Sequence, residues 1–496
     1  MNKKTYPCVF AVVFGAFFLF TPSSYAATIV SGTIATSTTW YASAGPYVVN
    51  SPITVSAGAT LTISPGTVVK TRGYGFYTAQ GIFVDGKLIA DGNALMPIVF
   101  TSYLDDSVGG DTNGDGASSA PARQDWSGII VRSGGEVSLT YTKLRYGGKS
   151  LPQGRAQIIN KGGKVSLSNV SIGIGKHILG NDEFGYYQEG NSSSFLGDRI
   201  DMSGMYIGVV FYDGAFNLSN GLVHDNGTGF SLHSGVLNVS DTAVDNNKTV
   251  AFSVSGNASV VHSGVTASGN GTNAFVMSGT LNHNDTWTSD YIPYVINGSF
   301  SIPAGVSLNV EKGTIIKINS SGFSLGFKLD GGALNINGTK ELPVYVTSFA
   351  DDEVGGDANG NDFASFPKAG DWKNISINGG TMNVSHAIFR YGGNTGGSYA
   401  SIYNNGGIFT GSFFTIASST GSAFLQSVGR FDISDSKFFA NQSNFRVTGG
   451  NATSTITRSS LIGLSSNWSS GVGNSSGIYV DARDNWWGDP SGPYNA

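Results

Sequence analysis

The chain has 496 residues, of which 12% are charged, 71 are glycine and one is cysteine, and its formal charge is −5. This scarce, slightly acidic charge argues against nucleic acid or an anionic membrane surface as partner. One cysteine excludes a disulfide framework, and the six histidines show no spacing suited to zinc.

The first 26 residues read as a signal peptide. Lys3 and Lys4 precede an apolar run over 9–20, and Ser24-Tyr25-Ala26 fits a small-x-Ala cleavage rule. The run is short for a membrane span. Cleavage after Ala26 removes Cys8, so the mature chain has no thiol chemistry. The expected location is secreted or cell-surface, with no membrane span after signal removal.

Residues 27–47, with Trp40, read as an N-terminal cap. Beyond them come short alternating apolar runs separated by Gly, Asn and Asp, the pattern of short strands and turns. The unit is clearest from Gly214. "GAFNLSNGLVHDNGTGFSLHS" is followed at Gly235 by "GVLNVSDTAVDNNKTVAFSVS", a period of 21 residues, and the step from Gly256 to Gly279 is 23. A period near 20 means a solenoid. No sustained helical periodicity appears, so the pattern predicts an all-β, right-handed parallel β-helix, with Asn laddering at corners.

A larger repeat overlies the coils. Trp40, Tyr47 and Asn50 recur as Trp287, Tyr294 and Asn297, each 247 residues on. "SPGTVVK" (64–70) recurs as "EKGTIIK" (311–317), and "RYGG" (145–148) as 390–393. The expected organisation is an internally duplicated solenoid with short N- and C-terminal caps. Its first half is 27–278 with an acidic loop at 105–126. Its second half is 279–496 with an acidic loop at 351–372 and a cap at 478–496.

The segments "LTISPGTVVK", "GKLIADGNALMPIVFTS", "DDSVGGDTNGDG", "LRYGG" and "DNWWGDPSGP" resemble exported bacterial right-handed parallel β-helix proteins of the pectate-lyase-like superfamily, often surface or adhesin-like modules. The resemblance implies fold and export more sharply than activity, because this fold hosts lyases, hydrolases and non-catalytic adhesins alike.

The acidic loops carry the candidate chemistry. Asp111, Asn113 and Asp115 place oxygen ligands at alternate positions before Gly116, the opening of an EF-hand-type calcium pattern. Position 122 is Ala, so a late carboxylate would come from Asp125, or from Asp105 and Asp106 before the loop. The second copy offers Asp357, Asn359, Asn361 and Asp371, but Asp362 stands where Gly116 stood. Calcium is therefore the expected structural ion, held better by the first loop. Trp126 and Trp372 close the loops and read either as anchors or as weak ligand platforms. Trp486 and Trp487 read as a cap or as further platforms. Arg145 and Arg390 are candidate lyase bases or structural donors, and recurrence at one place in both halves favours the structural role. No non-repeated cluster of Asp with Lys or Arg emerges, and no Gly-x-Ser-x-Gly elbow exists. The leading expectation is a non-catalytic surface or secreted protein binding glycans or surface partners. The alternative is a calcium-dependent polysaccharide lyase or other carbohydrate-active enzyme.

Overall fold

The structure, a computed structural model, describes residues 27–73, 81–149, 155–173, 183–290, 292–319, 326–394, 400–463 and 471–492. The expected signal peptide 1–26 and the last four residues of the expected C-terminal cap lie outside them. The described residues contain 44 strands joined in one sheet and no α-helix. The strands wind into a parallel β-helix.

One coil shows how the sequence builds it. Ala215–Ser219 forms wall A, Leu222–His224 wall B and Thr228–Leu232 wall C. In wall A, Phe216 and Leu218 point inward and Asn217 outward, because successive strand side chains alternate. The next coil repeats this in parallel register: Phe216 lies beside Leu237, and Leu237 beside Val260. Identical positions therefore stack into columns along the axis. Phe195 and Phe216 stack at 4.0 Å, and Phe230 and Phe252 at 4.7 Å. All four are at most 1% exposed, each burial contributing about 2–3 kcal/mol.

Two kinds of corner close the coil. Between walls A and B a single left-handed residue recurs, as at Tyr141, Asn169, Arg199, Asn220 and Asp241. Between walls B and C, Asp225 and Asn246 are left-handed, and each is followed by a buried asparagine. Asn247 Oδ1 accepts from Asn226 N at 3.0 Å, and Asn270 Oδ1 accepts from Asn247 N at 2.8 Å. Their amides donate inward to Val223 O and Val244 O. This is the expected corner ladder. It satisfies backbone groups that would otherwise be orphaned inside the rod.

The duplication is visible in the geometry. Trp40 stacks on Tyr47 at 4.7 Å, and Trp287 on Tyr294 at 4.5 Å. The halves join without a break in pairing. Phe275–Thr280 straddles the expected boundary at 278/279, and Phe275 pairs with Phe252 on one side and Tyr294 on the other. Phe252 belongs to wall C of the first half. Tyr294 starts the ladder through Ile316, Val346 and Phe389, the wall-B ladder of the second half. The rod is continuous, but its walls are re-phased by one position at the junction. The junction interior is also more polar, with His262 held between Asp290 at 3.1 Å and Tyr294 Oη at 2.8 Å.

At the C-terminal end, Asn485 takes an asparagine-ladder position. Its Oδ1 accepts from Ser459 N and its amide donates to Ile456 O, both at 2.8 Å. Trp487 packs against the core, while Trp486 is 47% exposed and bonded to the preceding coil through its backbone.

Candidate functional site

The two acidic loops leave the rod between walls B and C and match residue for residue at an offset of 246. Each is tied down in the same way. Ser102 Oγ donates to Asp125 Oδ2 and Ser348 Oγ to Asp371 Oδ2, both at 2.6 Å. Trp126 Nε1 donates to Arg145 O at 2.7 Å and Trp372 Nε1 to Arg390 O at 2.8 Å.

These contacts correct several expectations. Trp126 and Trp372 are fully buried, so neither offers a ring face to a ligand. They are anchors that pin each loop's return. Asp125 and Asp371 are absorbed by the loop closure, accepting also from Ala122 N and Lys368 N. Burial raises the Asp125 pKa. Asp125 Oδ2 is therefore spent on closing the loop, and Asp125 does not join the group of Asp111 and Asp115.

Asp106 does. Ligand oxygens of Asp106, Asp111 and Asp115 lie within 4.8 Å of one another, the one such group among the described residues. Asp106 Oδ1 and Asp115 Oδ1 are sealed from solvent and meet no donor. Burial, with Asp111 beside it, raises the Asp106 pKa. Asp111 is held the other way: the N–H groups of Gly114 and Gly116 donate to its two oxygens and lower its pKa. Asn113 turns its amide nitrogen toward Asp115 Oδ2 at 3.0 Å, and its oxygen faces Asp115 N.

The second loop is chemically poorer at the same places. Asp352 and Asp357 correspond to Asp106 and Asp111, but Asn361 replaces Asp115. Asp357 is capped by Asn361 N and Asp362 N. Both oxygens of Asp352 and Oδ1 of Asn359 are enclosed without a donor. Unmatched enclosed oxygens in an all-oxygen donor set fit a hard cation such as calcium, and the first loop gathers more charge for one.

Beneath each loop lies a group whose role the sequence did not reveal. Lys70 and Lys317 alternate outward from walls whose neighbours Val69 and Ile316 point inward. The loop folds over each, leaving both lysines with no exposed surface. Lys70 Nζ donates to Gly110 O at 2.5 Å and Lys317 Nζ to Gly356 O at 2.6 Å. Burial lowers both pKa values against the pull of the nearby aspartates, that of Lys317 to about 8. The available signal was a lysine closing an otherwise apolar strand in both "SPGTVVK" and "EKGTIIK". Of the two arginines, only Arg390 donates to its loop root. Arg390 Nε and Nη2 lie 2.7 and 2.6 Å from Asp351 Oδ2, whereas Arg145 stands 3.9 Å from Asp105.

Away from the loops, the outward face of wall A carries shallow troughs of mixed polar and apolar lining. In the second half one of about 380 Å³ is lined by Asn337, Asn383, Thr410, Asp432, Ser434 and Thr457 among others. Two in the first half measure about 300 and 460 Å³, the larger flanked by Lys87, Glu136 and Lys164.

Residues 32–150 match the family model of the pectate-lyase-like beta helix domain. The match runs from the first strand through the first acidic loop. No curated protein and no solved structure matches the chain.

Proposed function

We propose that the protein is an exported, non-catalytic β-helical rod of adhesin-like type, which binds glycans on its wall-A faces and stabilises its two acidic loops with calcium. The observation that carries the reading is the register of polar side chains on wall A of the second half. Asn309, Asn335, Asn383, Thr410, Asp432 and Thr455 occupy one outward column on successive coils. Asn335 donates to Asn309 and Asn383 to Asn335, each at 2.9 Å. Strand spacing of about 4.8 Å repeats amide and hydroxyl groups at nearly the length of a pyranose unit. A sugar chain lying along the axis would meet the same partners at each residue.

Calcium would be held by Asp106, Asp111 and Asp115, and more weakly around Asp352 and Asp357. It would neutralise carboxylates that the buried lysine leaves uncompensated. The same loops motivate the alternative of a calcium-dependent polysaccharide lyase, whose base would be Lys317 or Arg390. Against it, Lys317 has no exposed surface and Arg390 is held by Asp351.

The test is a panel of neutral and uronic polysaccharides, assayed with calcium or chelator for retention of the protein and for unsaturated product. Retention without product supports the proposal. Calcium-dependent product would establish the lyase instead.

A further inference from the structure

The two loops serve as each other's control. Of the same length and rooted in the same way, they differ at the tip. Where the first has Ala117 and Ala120, the second has Phe363 and Phe366, 61% and 83% exposed. These are the only large apolar side chains exposed in 351–372. Both rings lie in solvent, where they add little to the fold.

The backbone is bent to hold one of them out. Asp362 and Phe363 have φ of 55° and 61°, consecutive left-handed conformations. In the first loop Gly116 takes the first of these positions at φ 71°, without the Cβ penalty. A bulky left-handed residue is strained, and such strain persists where surrounding structure over-determines it.

The loops also differ in anchoring. Arg123 of the first loop reaches Glu183 Oε1 at 2.6 Å, a pair with side chains 12% and 1% exposed. Its counterpart in the second loop is Ala369. The second loop instead packs its base against the junction, where Asn273 N donates to Ala358 O at 2.9 Å. Its tip is thus free of the tether that holds the first.

We infer that Phe363 and Phe366 form an aromatic clamp for a neutral sugar chain, so that the second acidic loop is a binding loop and the first a structural one. Two rings are too small an apolar patch for the core of a protein–protein interface. Six acidic residues against the single Lys368 make the loop repel an anionic leaflet. What two isolated rings among carboxylates suit is a pyranose, whose C–H face stacks on an aromatic ring and whose hydroxyls donate outward.

The inference rests on the glycan reading above, and the experiment separates the two. The full mature chain, a Phe363→Ala/Phe366→Ala variant and a Leu95→Ala variant are compared by affinity electrophoresis in glucan, xylan and galactan gels, with melting temperature recorded for each. Leu95 is the control because it is 93% exposed elsewhere on the rod. The double variant is expected to lose affinity about tenfold with an unchanged melting temperature, and Leu95→Ala to behave as wild type. Wild-type affinity in the double variant overturns the clamp while leaving glycan binding in place. Equal loss in Leu95→Ala reduces the effect to general stickiness and also overturns it. No retention of the wild-type chain by any gel overturns the glycan reading and the clamp together. So does binding to phosphatidylserine vesicles in its place.

Discussion

Asp351→Asn and Asp105→Asn form a matched pair whose costs should differ. Asp351 has no exposed surface, and its Oδ2 accepts from Thr347 Oγ1 and from Arg390 Nε at 2.7 Å, with Arg390 Nη2 ion-paired to it at 2.6 Å. Asparagine keeps the shape and removes the charge, leaving Arg390 facing an amide. Breaking a buried pair costs about 3–5 kcal/mol. Arg390 is 18% exposed and Glu353 lies 3.3 Å from it, so the lower end applies, about 3 kcal/mol. Asp105 is as buried, but Arg145 stands 3.9 Å away with 29% of its side chain exposed. That contact is worth about 1 kcal/mol or less. The predicted difference is about 2 kcal/mol, read as a shift in urea midpoint at constant slope. Tryptophan fluorescence suits the assay, because Trp126 and Trp372 sit at the foot of the respective loops. An Asp105→Asn variant as destabilised as Asp351→Asn would refute the argument that geometry, not burial alone, sets these costs.

Three further outcomes are expected. In chelator, wild-type stability should rise between pH 8 and 10.5 relative to Lys317→Met. The folded pKa of Lys317, about 8, lies below its unfolded value of 10.5, so the unfolded chain holds the extra proton in this window and loses ground as pH rises. The gain is about 3 kcal/mol at most, and parallel stability curves for the two proteins would contradict it. Asn247→Ala should cost about 2–3 kcal/mol in chemical denaturation, since it orphans Asn226 N–H and removes the Asn247 amide from Val223 C=O inside the rod, while Asn270 Oδ1 keeps the Asn247 N–H; a cost under about 1 kcal/mol would mean the ladder is replaceable by water. Calcium titration should show Asp115→Asn weakening the first loop's site about tenfold or more, with Asp125→Asn leaving it nearly intact. The reverse order would restore Asp125 as a ligand.

The solenoid was legible because its signal is redundant. Successive coils repeat the alternation of Phe216 with Leu218, and the asparagine corner recurs at Asn226, Asn247 and Asn270, so local ambiguity averages out. The loops were harder to read. Spacing along the chain placed Asp111, Asn113 and Asp115 together but could not show that Asp125 turns back to Ser102, nor that Asp106 closes the group. Those facts depend on where the loop folds over the wall. Lys70 was invisible for the same reason: alternation marks it as outward and hence solvated, and only the covering loop reverses that. Trp126 and Trp372 were open to two readings until their burial was known, since an aromatic after an acidic turn serves as anchor or platform alike.

The one-wall shift where the halves meet bears on the valency of the proposed glycan binding. In an unshifted rod, the wall-A faces of the two halves would line up and a single polymer could lie across both. Because the first-half wall C runs on into the second-half wall B, the two wall-A faces look in different directions. If both faces bind glycans as proposed, two surfaces on one shaft that cannot share a chain would bring separate chains together. On the proposed glycan reading, such a molecule would gain little avidity on an isolated strand and would act as a cross-linker in a dense matrix.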